Sequence, residues 1–325
     1  MNDILKVGEN ITLLDHTFEE GSEKNEKWYK DREGTIGGSD IGSLFGENKY
    51  KSILQLFNEK SGRVKSEQVH NAATFLGNSM ESDILSLYEY YNGDDKEMYP
   101  NHHNKINKVR DVITYNGYIR NSKYKGIQVE LDGFFIDKDT NERVVVECKT
   151  MNGMAFKANN QEPPVKYLLQ VLACMAVSEA DRAVIIMLVD GINYHVFEVD
   201  RNESFISKIK SKVDSFWNNV NMFKETGSVE YVPEVDNTAS CEKALQNLYP
   251  KAKDNFRKAT EEEEHLINKY ATMNEEYKEL EEDLRAIRNK LKEGIKDGSK
   301  ISCEGYSANW TNFGNTRRFQ VRRVK

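Results

Sequence analysis

Between Ile127 and Thr150 the chain reads IQVELDGFFIDKDTNERVVVECKT, with β-branched and apolar residues alternating on both sides of the polar cluster DKDTNER. That period of two predicts two strands joined by a turn. Successive strand side chains point to opposite faces, so Val144, Val146 and Cys148 share one face while Val145, Glu147 and Lys149 share the other. In the first run Asp132 shares a face with Glu130, and Gly133 behind it leaves the backbone open to a ligand. Acidic residues on neighbouring strands, with an amine two positions after the second, suit metal-assisted phosphodiester hydrolysis. Hard oxygen ligands hold Mg2+ or Mn2+, and the amine positions or deprotonates the attacking water. A solvated charge ladder has the same E-x-K spacing. The valines around Glu147 weigh against it, because a carboxylate and an ammonium inside a buried strand are costly unless paired or metal-bound.

The 325 residues suffice for one large domain with an appendage, or for two domains. A formal charge of −7 supplies no global field toward nucleic acid, so any such contact depends on local basic patches. Cys148, Cys174, Cys241 and Cys303 form no C-x-x-C pair, which disfavours structural zinc and iron–sulfur clusters and fits reduced thiols in a cytosolic protein. The longest apolar run, Ala183 to Val189, is too short to span a bilayer, and the N-terminal MNDILKVGEN lacks a signal-peptide pattern.

In WYKDREGTIGGSDIGSLFG, Trp28 and Arg32 precede Gly37 and Gly38, and Ser39 or Asp40 is placed to cap a helix from Ile41. A helix start with Arg32 and the Ser39 hydroxyl suits an anion; an ordinary glycine turn with a capping serine fits the same residues. YKSILQLFNEKSG predicts a short amphipathic helix. Phe75, Leu76, Met80, Ile84, Leu87, Tyr88 and Tyr91 predict a second one over Ala73 to Tyr91, with Glu81 at the edge of its apolar stripe. His102 and His103 fall in a loop-like stretch. PPVKYLLQVLACMAVS starts a helix after its prolines, with Tyr167, Gln170, Val171 and Cys174 on one face, and a buried Gln170 needs a hydrogen-bond partner. RAVIIMLV then turns at Asp190-Gly191 into NYHVFEV, a hairpin. Phe205, Ile209, Val213, Phe216, Val220 and Phe223 mark a further helix.

The linker GSVEYVPEVDNTAS ends a first domain at residue 235. Beyond it Leu266, Tyr270, Met273, Tyr277, Leu280, Leu284, Ile287 and Leu291 are spaced 4-3-4-3, a heptad seam that packs on a helix around Ala239 to Phe256 or pairs between chains. This gives domains of 1–235, 236–298 and 299–325, the middle one a helical hairpin. The last is a short β tail with Arg317, Arg318, Arg322, Arg323 and Lys325 beside Trp310, Phe313 and Phe319. Such a cluster fits backbone-phosphate contact with base stacking, or equally charges that blunt an edge hairpin.

The order W-x3-R-x3-IGGSD, LGNSMES, LDGFF, VECKT, YLLQ resembles the YqaJ-type viral recombinases, relatives of lambda exonuclease in the PD-(D/E)XK nuclease superfamily. The resemblance runs from Trp28 to Trp217. It implies an α/β (α+β) fold of restriction-endonuclease type, a central mixed sheet flanked by helices. It implies a catalytic set of Glu81, Asp132, Glu147, Lys149 and Gln170. Two Mg2+ ions, replaceable by Mn2+, would lie on Glu81, Asp132, Glu147 and the main-chain carbonyl of Cys148. Arg32, Ser39 and Tyr167 would grip a 5′-phosphorylated strand.

The implied activity is 5′-to-3′ degradation of one strand of double-stranded DNA ends, leaving 3′ overhangs for phage-type recombination. A single-strand annealing protein is the implied partner, a ring-shaped homo-oligomer such as a trimer the implied assembly, and the bacterial host cytoplasm the implied location. Two rivals stay open: a restriction-type or structure-specific endonuclease on the same fold, and a non-catalytic module that binds DNA ends or protein. The aspartate follows leucine where the superfamily pattern has proline, and the roles of the heptad segment and basic tail do not carry over from the family.

Overall fold

A computed structural model describes residues 10–15, 30, 32–65, 71–90 and 110–324. Trp28 and the His102–His103 pair lie outside the described residues. The chain divides into two compact units, Met1–Lys251 and Ala252–Lys325.

The first unit runs β1 (Ile11–Asp15), β2 (Ile36–Gly37), a 3-10 turn (Gly38–Asp40), α1 (Ile41–Leu44), α2 (Ile53–Lys60) and α3 (Ala72–Tyr90). It continues with β3 (Gly117–Asn121), β4 (Ile127–Gln128), β5 (Gly133–Ile136), β6 (Arg143–Met151), α4 (Gly153–Ala158) and α5 (Val165–Ser178). β7 (Arg182–Val189), β8 (Asn193–Asp200), α6 (Glu203–Thr226) and α7 (Ala239–Leu248) complete it.

The central sheet has the order β5-β6-β7-β8, with β6 and β7 parallel and both outer pairs antiparallel. A parallel pair needs a crossover, and α4 and α5 supply it, which carries α5 back over β6. Alternation along β6 sends Val145 into the core with Leu169, Val171 and Cys174 of α5 and Val213 of α6. Val144, Val146 and Cys148 face Ile84, Leu85 and Tyr88 of α3. Apolar layers therefore cover both faces of the sheet, and β7 between them is a nearly unbroken apolar run. This is the mixed sheet flanked by helices that the resemblance implied.

Local chemistry closes the hairpins. Asp137 accepts hydrogen bonds from the amides of Asp139 (2.9 Å) and Thr140 (3.1 Å) in the β5–β6 turn. Asp190 (φ 53°) and Gly191 (φ 74°) take the left-handed conformation in the three-residue turn, Asp190 to Ile192, that joins β7 to β8.

Several features differ from the sequence reading. The run Ile127–Phe135 is not one strand: Ile127 and Gln128 pair in parallel with Ile36 and Gly37, and pairing with β6 starts only at Gly133. Gly133 opens no space for a ligand. A Cβ there would stand 2.6 Å from Val112 Cγ1 and 3.0 Å from Leu85 Cδ2, so the glycine lets α3 close on the sheet. On α3 only the C-terminal half of the apolar stripe meets the sheet, leaving Phe75 (71%) and Leu76 (54%) exposed. On α6 it is Ile206 that is buried, with Phe205 turned outward.

In α7, Cys241 and Ala244 pack on Leu54 of α2, and Ser240 Oγ accepts from the Ser52 amide at 2.8 Å. The helix expected to face the heptad seam thus gives its apolar side to the first unit. The second unit consists of α8 (Glu261–Ile295) and an antiparallel sheet of β9 (Lys300–Cys303), β10 (Tyr306–Phe313) and β11 (Thr316–Arg323). A reciprocal capping box between Thr260 and Glu263 starts α8. Ile295 and Ala308 are buried, whereas the seam from Leu266 to Ile287 is more than half exposed at every position within this unit.

Candidate active site

Glu147 and Lys149 point the same way from β6, as alternation requires, toward the crossover helix α5. Glu147 Oε1 takes two donors: the Lys149 ammonium and Gln170 Nε2 at 2.6 Å. Its other oxygen, Oε2, is buried and unpartnered. Burial, then the neighbouring charge of Asp132, pushes the Glu147 carboxyl up to about 8. For Lys149, burial alone would disfavour the ammonium, but Glu147 and Asp132 more than reverse this and hold its pKa above the ordinary lysine value.

Asp132 directly precedes β5. Its Oδ2 accepts the amide of Cys148 at 2.7 Å, tying it to the strand that carries Glu147. Burial raises its pKa despite Lys149 and that amide. Glu81 comes from α3, which Gly133 allows to lie close; burial and the charge of Asp132 push it up to about 7. The three carboxyls thus sense one another electrostatically. Among the described residues no three His, Cys, Asp or Glu side chains stand ready-made as a cation cage, since Glu147 is turned to Lys149 and Gln170. The donor chemistry nonetheless fits a hard divalent ion: carboxylates that oppose one another's ionisation, and a buried carboxylate oxygen whose lone pairs have no partner.

A second cluster surrounds Gly37. A Cβ at that residue would lie 3.8 Å from an Arg32 Nη, 3.9 Å from Ser39 Oγ and 4.0 Å from Asp40 Oδ2. The capping expected here is absent: neither Ser39 nor Asp40 closes α1 with its side chain, and the Ser39 residue is exposed. Gly38 rests on α5, where its added Cβ would be 3.7 Å from Gln170 Cγ and 3.6 Å from Cys174 Sγ. One face of α5 therefore supports both the Arg32 loop and Glu147. Two lysines escaped the sequence reading. Lys51 pairs with Asp40 at 3.3 Å and with Glu59 at 3.1 Å, and Lys60 Nζ donates to the Arg32 carbonyl at 2.6 Å. Their signal was only that a buried Asp40 requires a cation. Tyr167, one turn before Gln170, has the Lys149 ammonium 5.5 Å from its ring centre.

The tail arginines separate into different roles. Arg317 stacks on Trp310 at 3.8 Å and donates to the carbonyls of Lys296 (2.7 Å), Trp310 and Gly298, so its guanidinium is spent on holding the sheet to the end of α8. Arg322 is bonded to Gln320 at 2.6 Å, Arg318 lies 5.7 Å from the Phe313 ring, and Arg323 is exposed.

Residues 27–181 match the family model of the YqaJ-like viral recombinase domain. The matched region is similar to that domain over just under half of this chain. It contains Arg32, Ser39, Glu81, Asp132, Glu147, Lys149, Tyr167 and Gln170, and ends immediately before β7 of the central sheet. The uncharacterized protein YqaJ of Bacillus subtilis (strain 168) is 24% identical over 289 residues, 88% of this chain and 82% of its own. That similarity is longer than the region the family model matches. Among solved structures, the alkaline exonuclease LHK-Exo of Laribacter hongkongensis is 20% identical, covering 62% of this chain and 94% of its own with a TM-score of 0.48. A phage related exonuclease from Haemophilus somnus 129PT is 13% identical, covering 60% and 96% with a TM-score of 0.44.

Proposed function

We propose that the chain is a metal-dependent deoxyribonuclease that degrades the 5′-ended strand of linear duplex DNA. The observation that carries this reading is the buried Glu147–Lys149 pair, held by Gln170, with Asp132 tied to the same strand and one Glu147 oxygen unpartnered. Glu81, Asp132, Glu147 and the Cys148 carbonyl would hold two Mg2+ ions, with Mn2+ as a substitute. The ions would supply Lewis-acid stabilisation of the charge that builds up on the phosphate and on the attacking and leaving oxygens. Lys149, beside Glu147, would position or deprotonate the attacking water. Gln170 fixes the carboxylate that Lys149 faces.

Arg32 and Ser39 would bind the terminal 5′ phosphate, which sets cleavage one nucleotide in. Their loop rests on the helix that carries Gln170, so phosphate capture and scission share a support. Arg318, Arg322 and Arg323 would add backbone contacts. A homo-oligomer that encloses DNA and a single-strand annealing partner belong to the same proposal and rest on the family resemblance. The second unit, with its heptad helix and β tail, would serve as an accessory region outside the catalytic domain.

The deciding experiment is digestion of a linear duplex labelled separately at each 5′ and 3′ terminus, with and without Mg2+, beside covalently closed circular DNA. Mg2+-dependent release of 5′-terminal mononucleotides with intact circles is expected. Cleaved circles would favour the endonuclease, and no cleavage with any divalent ion would favour the binding module.

A further inference from the structure

Outward from Lys149, cations and aromatic rings alternate. Lys149 Nζ lies 5.5 Å from the centre of Tyr167, Lys166 Nζ lies 4.7 Å from Tyr167 and 4.8 Å from Tyr50, and Lys49 Nζ lies 5.0 Å from Tyr50. Two chain segments meet here, the loop between α1 and α2 and the first turn of α5. Gly42 brings them together: a Cβ at that position would stand 3.0 Å from Lys166 Cβ.

The loop is pinned on both sides of its exposed tyrosine. The Tyr50 amide donates to Asn48 Oδ1 at 3.1 Å, Lys51 is held between Asp40 and Glu59, and the Ser52 amide donates to Ser240 Oγ at 2.8 Å. Tyr50 nevertheless leaves 69% of its surface in water. A large aromatic ring on a fixed loop offers stacking area at little ordering cost. Lys166, for its part, is partly desolvated, and the neighbouring charges acting on it are the like charges of Lys149 and Lys49. That repulsion is relieved by a polyanion.

We propose that Tyr50 and Lys166 extend the site into a rail for single-stranded nucleic acid, where a base beside the scissile bond stacks on Tyr50 and an adjoining phosphate is taken by Lys166. The rail rests on the nucleic-acid reading of the site given above and adds residues that the five sequence motifs do not contain. It gives the strand a sequence-independent grip, because every base has a stacking face.

The test is anisotropy of a short fluorescein-labelled single-stranded oligodeoxynucleotide with the full-length chain across a salt series, beside cleavage of a linear duplex. Tyr50→Ala should weaken binding roughly tenfold, with Tyr50→Phe and Tyr50→Trp close to the parent and the salt slope unchanged. Lys166→Ala should reduce the slope of log K against log salt by about 0.7, the value for one single-strand phosphate contact, and Lys166→Arg should restore it. Parent-like affinity in Tyr50→Ala, or a parent-like slope in Lys166→Ala, overturns the rail. If these variants match a parent that binds and cleaves DNA, the rail alone fails. A parent that neither binds nor cleaves overturns the nuclease reading with it. Matching thermal midpoints of parent and variants separate these outcomes from misfolding.

Discussion

Gln170 and Lys149 converge on a single oxygen, Oε1 of Glu147, and leave Oε2 of that carboxylate buried without a partner. A protein interior tolerates such an arrangement poorly, because each unsatisfied buried charge-bearing atom costs free energy. Its place in the middle of β6 is what the proposed role of this carboxylate as a ligand would explain.

Removing one member of the pair should therefore have two separable effects. Lys149→Met leaves Glu147 as a buried, uncompensated acid, so denaturant unfolding without divalent ions should show a loss of about 3 kcal/mol. The double variant Glu147→Gln/Lys149→Met should recover most of that stability. Both should have cleavage rates lower by about a hundredfold or more, and a fully active Lys149→Met would remove the lysine from the reaction.

Arg32 should control which ends are chosen rather than whether the bond breaks. Arg32→Ala is expected to abolish the preference for 5′-phosphorylated over 5′-hydroxyl ends while leaving a slow, end-indifferent activity. Rates on the two substrates, measured side by side, check this; an undiminished ratio would place Arg32 outside the pocket.

Lys60 gives the fold a pH dependence of its own. Burial is the main cause of its lowered pKa of about 8; the Asp40 charge opposes it, Arg32 and Lys51 add to it, and Glu59 opposes it. A base whose pKa falls on folding binds fewer protons in the native state, so stability rises with pH between about 8 and the ordinary value of 10.5. The rise should be about 1–3 kcal/mol, discounted for the partial exposure of the side chain. It should be absent in Lys60→Met, compared with the parent by urea unfolding at pH 7.5 and pH 10.5. Equal rises in both proteins would show that Lys60 is not the group responsible.

The tail arginines should divide experimentally as they do structurally. Arg317→Ala removes three carbonyl contacts and the Trp310 stack, and should destabilise the second unit by about 2 kcal/mol in a melt followed by Trp fluorescence. Arg318→Ala should leave the melt unchanged and weaken DNA binding by lowering the salt slope by about 0.9, one duplex phosphate contact. An unmoved melt in Arg317→Ala would return that residue to the DNA-contact set.

The β6 pattern was legible because alternation is local: residues two apart on a strand share a face whatever the fold. The same rule misread Ile127–Phe135. A break at Val129 to Asp132 costs nothing in pattern, and only the tertiary partner Ile36 reveals that Ile127 belongs to another sheet. The stripe on α3 was visible while its burial was not, since Phe75 and Leu76 have the right spacing but lack a facing layer. Gln170 was singled out as needing a partner, and Glu147 is that partner. Lys51 and Lys60 lay hidden because their meaning depends on Asp40 and on the Arg32 carbonyl, groups far from them along the chain.

Gly133 carries no functional group, yet the reach of Glu81 toward Asp132 depends on it. Any larger residue would wedge against Leu85 and Val112 and tilt the helix away from the sheet. A screen for inactive variants should therefore recover alanine or serine at this position alongside the charged residues. Such variants would retain Asp132, Glu147 and Lys149 but lack the third carboxylate's approach, an enzyme disarmed by a single methyl group.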